Sequence, residues 1–314
     1  AGQGGFFVIE ADEYDRMFLG LTPQVAVVTN VEWDHVDCYP TPADFTKAFQ
    51  EFVQRLPEDG LLVACADDPG AQALATARQA SGRPAVTYGL DHCSSWRACE
   101  LRANQYGGTD AQIWHGGALV AELHLRIPGH HNVQNALACL AVTYHLGVHP
   151  EIAATNLNNF TGVRRRFEVK GMQHGIIVID DYAHHPSEVR ATLAGARQRY
   201  PNRTIWVVFQ PHTYSRTRAL LSAFANCFAE ADHVLITDVY AAREYDTLGV
   251  HASQLAEMVR STHPDARYVG GLEEAAKTLL AELRPGDVLL TLGAGNGYQV
   301  GERVLAALRD RTGI

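Results

Sequence analysis

The sequence predicts an α/β protein of two doubly wound domains, the first carrying a small antiparallel subsheet. Three observations lead there. Short β-rich apolar runs alternate with helical periodicity in both halves of the chain. Most of these runs end in polar or charged residues, as strands of a parallel sheet often do. Between Arg97 and Ile127 the pattern changes to short alternating segments broken by "YGGTD" and "HGG", which read as hairpins.

In chain order, "FFVIEA" from Phe6 and "VAVVTN" from Val25 read as buried strands. "PADFTKAFQEFVQRL" sets Phe45, Phe49, Phe52, Val53 and Leu56 on one helical face, with Pro42 early and Pro57 just past the end. "LLVACADD" is a further strand, followed by a helix from Pro69 to Ala80. After the hairpin region, "PGHHNVQNALACLAVTYHLGV" gives a loop and an amphipathic helix closed by Gly147. The polar, basic stretch Asn158 to Gly171 places a domain boundary near Thr161. Beyond it, "GIIVID", "TIWVVF", "HVLITD" and "DVLLTL" are strands with helices between them, a second doubly wound unit.

The chain has 314 residues, 46% hydrophobic and 19% charged, enough for about two domains. Its net charge of −9 argues against nucleic acid or an anionic membrane as the main partner. No apolar run approaches the roughly 18 to 20 residues of a membrane span. Six scattered cysteines without a C-x-x-C read as free thiols in a reducing cytoplasm. Only three lysines occur (Lys47, Lys170 and Lys277) and none follows a glycine, so these residues contain no Gly-Lys-Ser/Thr phosphate loop.

Ligands of open α/β sheets bind beyond the carboxyl ends of strands, so the residues after each strand carry the chemistry. Glu10 after one strand and His35 in "TNVEWDH" after the next, flanked by Asp12, Glu13 and Asp34, suit magnesium, which takes one or two protein ligands. The plain reading of the same residues is caps and solvated loop acids. In "HHNVQN", Asn132 reads as a helix cap, or Asn132 and Asn135 as carboxamides matching adenine. The three arginines of "VRRRFE" suit polyphosphate or form a solvated basic linker; if extended, at most two share a face. "IDDYAHHPSEVR" and "FQPHTYSRTR" bring Asp181, Tyr182, His184, His212 and Arg216 to two strand ends, a candidate carboxylate-binding cleft. "LGAGNGYQV" adds glycine-rich backbone donors before a helix, a weak signal alone.

In this order, "EADEYDRMFLGL", "VVTNVEWDHVD", "GHHNVQNALA", "GVRRRFE", "DDYAHHPSEVRATL" and "FQPHTYSRTR…DVYAARE" resemble the Mur ligase family. Within it, the last two motifs resemble those of the members that add L-alanine. The likeness runs from about residue 6 to the C-terminus. It implies a central domain over residues 1–161, with a mostly parallel ATPase-type sheet and an antiparallel subsheet. A Rossmann-like C-terminal domain then covers residues 162–314. The implied activity is ATP-dependent ligation of L-alanine to the lactyl carboxylate of UDP-N-acetylmuramate through an acyl phosphate, in the cytoplasm, for peptidoglycan precursors. The implied cofactors are ATP and Mg2+.

The resemblance also assigns residues. Glu10 and His35 correspond to metal ligands. His131, Asn132 and Asn135 correspond to the adenine site. Arg166 matches the arginine reaching the terminal phosphate, and Asp181 the ribose contact. Tyr182, His184, His212 and Arg216 match the positions gathering alanine and the muramyl carboxylate, with Arg166, His184, His212 and Arg216 catalytic. Thr213 stands where some relatives have a second arginine, and Gln50 where several have a carbamylated lysine. The family's UDP-binding domain and Gly-Lys-Thr loop are not among these residues, so the resemblance implies a fragment inactive by itself. A ligase adding a murein tripeptide to the same sugar, or a non-catalytic nucleotide-binding module, are the other readings.

Overall fold

A computed structural model describes residues 4–90, 94–246 and 249–310. The chain divides into two compact units. The first comprises Ala1–Cys99, Gln112–Ala121 and Gln134–Ala153; the second comprises Glu100–Ala111, Glu122–Val133 and Ala154–Ile314.

The first sheet has strand order β1-β2-β3-β4-β5-β6, formed by β1 (Val25–Val28), β2 (Leu61–Cys65), β3 (Ala85–Gly89), β4 (Trp96–Ala103), β5 (Thr109–His115) and β6 (Ala118–His124). β1, β2 and β3 pair in parallel, and β3 meets β4 in parallel through Tyr88 and Trp96. Gly116 and Gly117 alone join β5 to β6, both at positive φ (59° and 82°), the conformation that a two-residue hairpin turn demands. The expected hairpin region is therefore present.

Helix α1 (Pro42–Gln54) begins with a reciprocal capping box between Thr41 and Asp44. It buries Phe45, Phe52 and Val53, and Phe52 stacks on Phe18 at 4.8 Å between ring centroids. Helix α2 (Pro69–Ala80) is capped by Asp68, whose carboxylate accepts from Ala71 N at 2.7 Å. Two helices follow the hairpins, α3 (His130–His145) and α4 (Pro150–Leu157).

One expected strand does not form. Residues 4–13 run without ladder hydrogen bonds, and Phe6, Phe7, Val8 and Ile9 are exposed, Val8 by 92%. An apolar run reads as a buried strand only if sheet neighbours cover it. Here β1 is the edge of its sheet, paired with β2 alone. The segment instead leads into a 3-10 helix (Tyr14–Gly20) interrupted by positive φ at Asp15 and Arg16.

The second sheet has order β11-β10-β9-β12-β8-β7. Its strands are β7 (Glu168–Gln173), β8 (Ile176–Asp181), β9 (Ile205–Phe209), β10 (His233–Thr237), β11 (Ala266–Gly270) and β12 (Val288–Leu292). All pair in parallel except β7, which is antiparallel to β8. The helices are α5 (Pro186–Arg199), α6 (Tyr214–Ala219), α7 (Leu221–Phe224), α8 (Ala252–Arg260), α9 (Leu272–Glu282) and α10 (Tyr298–Asp310).

Side-chain alternation builds three layers. Ile205, Val207 and Phe209 of β9 pack with Leu193 of α5 and Leu255 of α8 on one face. Trp206 and Val208 pack with Leu279 of α9 and Val304 of α10 on the other. At roughly 1.5–3 kcal/mol for each large apolar side chain fully buried, this two-faced core is the main force holding the sheet.

Candidate functional site

The strand order of the second sheet places a topological switch at its carboxyl end. β12 lies between β8 and β9. α5 after β8 and α7 after β9 pack into one face, whereas α10 after β12 packs into the other. The loops leaving adjacent strand ends therefore diverge, the arrangement in which such sheets bind ligands.

Beyond β8, Tyr182, Ala183 and His184 lead to the first turn of α5. His184 Nδ1 lies 3.0 Å from the Tyr182 carbonyl oxygen. A carbonyl only accepts, so in the neutral ring the proton sits on Nδ1 and the lone pair on Nε2. The rings of Tyr182 and His184 meet edge-on at 5.3 Å, and His184 lies 5.8 Å from His212. Beyond β9, buried Arg216 donates from Nη1 to His212 Nδ1 at 2.8 Å. Arginine cannot accept, so His212 holds its lone pair on Nδ1 and its proton on Nε2. The two histidines thus carry opposite tautomers on neighbouring loops.

Tyr240 lies against the His212 ring (5.7 Å, 16° between planes) and pairs with it in a short parallel bridge. Between His212 and Arg216, Thr213 caps α6 at φ 60° and ψ 148°. That region is essentially restricted to glycine, so Thr213 is strained. Its amide donates to Tyr240 O at 3.0 Å, and Glu244 accepts from Ser215 N at 2.9 Å, which together hold the turn.

The arginine run resolves into distinct tasks. Arg165, at φ 58°, pairs with buried Asp180 (Nε to Oδ2, 3.0 Å) and donates to Gly293 O at 2.7 Å. Arg166 is more exposed and faces the Glu188 carboxylate at 3.7 Å. Both guanidinium groups lie over Tyr182, at 4.9 and 5.5 Å. The chain turns here instead of running extended, which is how consecutive arginines reach one ring. Asp181 pins this turn, accepting from Phe167 N and Ala183 N at 2.8 Å each. Burial pushes the Asp181 carboxyl up to about 6, against the pull of those amides and of Arg166.

His131 is a neutral ring: burial, with Arg166 and His130 nearby, pushes it down to about 4. Asn132 is not the helix cap. α3 begins at His130, and the Asn132 carboxamide donates back to Pro128 O at 2.7 Å from within the first turn. Asn135 is exposed on the same helix.

In the first unit, His35 Nε2 meets Glu13 Oε1 at 2.9 Å, and the His35 ring holds the Glu13 carboxyl below the usual carboxylate range. Glu10 is exposed on the segment before. Among the described residues no group of three or more His, Cys, Asp or Glu is placed to hold a metal ion. Glu10 offers an exposed carboxylate oxygen, the donor type that suits magnesium, and His35 an imidazole already engaged by Glu13; magnesium takes its remaining ligands from water and phosphate.

Four residues inside the quoted motifs, Glu188, Gln210, Tyr240 and Glu244, contribute to the site although the sequence assigns them no role. Gln210 follows β9 and is buried; its Oε1 accepts from Gly297 N at 2.8 Å and its Nε2 donates to Asn296 at 2.9 Å. A Cβ on Gly295 would meet Gln210 Oε1 at 2.5 Å and the Tyr240 ring at 2.6 Å, so that glycine is required by close packing. Glu188 had a usable signal, since it falls at the third position of a helix opened by Pro186.

Comparison with known proteins covers both halves of the chain. Residues 2–143 match the Mur ligase middle domain, and residues 165–295 match the Mur ligase glutamate ligase domain. A UDP-N-acetylmuramate–L-alanine ligase of a Roseiflexus species is 48% identical over 97% of this chain and 67% of that protein. One from Caldanaerobacter subterraneus is 42% identical over 97% of this chain and 65% of its own length. The crystal structure of the UDP-N-acetylmuramate–alanine ligase of Thermotoga maritima superposes with a TM-score of 0.75 at 27% identity, over 94% of this chain and 62% of that one. The chain spans about two thirds of the length of these relatives.

Proposed function

The chain belongs to the Mur ligase family, and from that premise we propose that it contributes to ATP-dependent ligation of L-alanine to UDP-N-acetylmuramate. The carrying observation is the group His184, His212 and Arg216, with its two opposite tautomers. An amino acid is a zwitterion. Arg216 and His212 Nε2–H supply donors for its carboxylate, and His184 Nε2 supplies an acceptor for its nitrogen. Tyr182 lies beside His184.

In the proposed reaction the lactyl carboxylate attacks the γ-phosphorus, an O–P bond forms and ADP leaves. The amine then attacks the acyl carbon, and phosphate leaves with the C–O bonding pair. No protein nucleophile is needed, so the side chains act by positioning and by neutralising charge. Arg166, exposed and lightly paired, faces the terminal phosphate in this reading. His131, Asn132 and Asn135 take the adenine and Asp181 the ribose. Magnesium, when bound, would be held by Glu10 and His35 and would neutralise charge on the transferring phosphoryl group. ATP and a UDP-sugar as substrates place the reaction in the cytoplasm.

The test is product formation by the protein expressed as its gene encodes it. The expected result is ADP release that requires both UDP-N-acetylmuramate and L-alanine, with the alanyl product detected by mass. Turnover that ignores alanine, or prefers a murein tripeptide, contradicts the proposal.

A further inference from the structure

We propose that Glu188 is a positioning residue that, beside the Tyr182 carbonyl, orients the His184 ring and stabilises its imidazolium, so that Nε2 of that ring takes the proton of the incoming ammonium group. This rests on the amino-acid-adding reading above. The Glu188 carboxylate is a junction. Its Oε2 accepts from His184 N at 2.9 Å and His185 N at 3.1 Å, and lies 3.3 Å from His184 Nδ1. Its Oε1 faces Arg166 Nη1 at 3.7 Å. Every acceptor beside His184 Nδ1, the carboxylate and the Tyr182 carbonyl, requires a proton there.

The proton balance closes. Alanine arrives as an ammonium ion and is not nucleophilic in that form. One proton passes from its nitrogen to His184 Nε2, and the resulting imidazolium is stabilised by Glu188. The free amine attacks the acyl phosphate, the C–O bond breaks, and the second proton leaves on the departing phosphate. His184 returns its proton to water.

Other charged and titratable groups surround this pair: Tyr182 and His212 meet the His184 ring edge-on, Asp181 and His185 lie on its own loop, Arg166 reaches Glu188 and Tyr182, His131 lies near Arg166 and Glu188, and Arg216 holds His212. Burial alone would raise the Glu188 carboxyl; His184, the two amides and Arg166 together hold it below the usual carboxylate range, so it is an anion at neutral pH.

A simpler role would be capping α5, since Glu188 occupies the third position of that helix. Glutamine caps a helix from this position as glutamate does, but carries no charge. Glu188→Gln therefore separates the roles while keeping the fold. Its kcat with alanine is expected to fall about tenfold, and the acid limb of its pH profile to move down by about one unit, because the imidazolium loses its counter-charge. Glu188→Asp is expected to restore much of both. Nitrogen-15 spectra of the histidines at pH 8 read the tautomer directly: Nδ1–H for His184 in the wild type and, because the Tyr182 carbonyl remains, in Glu188→Gln as well, so the pH limb isolates the charge of Glu188. An unshifted acid limb with wild-type kcat, or an Nε2–H tautomer in the wild type, overturns the proposal. Absence of alanine-dependent turnover in the wild type would sink the proposed reaction instead, and the pH at which His184 titrates in the wild-type and Glu188→Gln nitrogen-15 spectra would still decide whether Glu188 stabilises the imidazolium.

Discussion

Arg216 is buried and donates to His212, so its substitution removes a carboxylate donor and frees the His212 tautomer together. Arg216→Ala is expected to lower kcat/KM for alanine by roughly 100-fold, the effect of losing one charge-assisted partner at a desolvated site. Arg216→Lys should recover little, because an ammonium lacks the planar fork. Asp181 and His131 give a second prediction. The folded Asp181 binds its proton more tightly than the unfolded chain does, since its carboxyl rises to about 6; alone it makes stability fall as pH rises from about 4 to 6. His131 falls to about 4 and works in the opposite sense, with stability lost as pH drops from about 6.5 to 4. The two nearly cancel in the wild type. In Asp181→Asn the histidine contribution stands alone, so the unfolding free energy should drop by about 3 kcal/mol between pH 6.5 and 4. A flat profile in that variant refutes the argument. Tyr182, His184, His212 and Arg216 were legible in the sequence because each follows a strand within a few residues. Glu188, Gln210 and Glu244 were not, because their roles depend on how turns close. Gln210, for instance, meets Gly297 across 87 positions of chain.

Elements with a clear period formed where expected: α1 and α2 follow their apolar face and their caps. The exception was "FFVI", where hydrophobicity alone stood for a strand. A strand is a relation between two segments, and residues 4–13 have no ladder partner in the described structure. β7 and β11 were missed for the converse reason. They lie at the two edges of the second sheet and are only partly buried, so their composition is mixed. Two substitutions test how the loops are held. Gln210→Ala leaves the buried Gly297 N–H without its acceptor and should cost about 1–3 kcal/mol in denaturant unfolding. Thr213→Gly removes backbone strain of about 1–3 kcal/mol, offset in part by the entropy of glycine and by loss of the side-chain cap on Arg216 N, so stability should rise while turnover falls. A loss of stability there would show that Thr213 is not strained.

At the scale of the molecule, sequence periodicity gave two α/β sheets, and strand-end chemistry gave the family. What it left open was the spatial order of strands. β12, last in the sequence, inserts between β8 and β9, and this insertion turns the loops apart. Among the described residues no helix is long and apolar enough to cross a membrane. The central claim is that this switch point reads an amino acid by its carboxylate through Arg216 and His212. The most direct measurement compares L-alanine with L-alaninamide, which lacks that carboxylate, as acceptors for the native-length enzyme and for Arg216→Ala. The wild type should favour alanine by roughly 100-fold, and the variant should lose nearly all of that preference. Equal use of both acceptors by the wild type would contradict the claim.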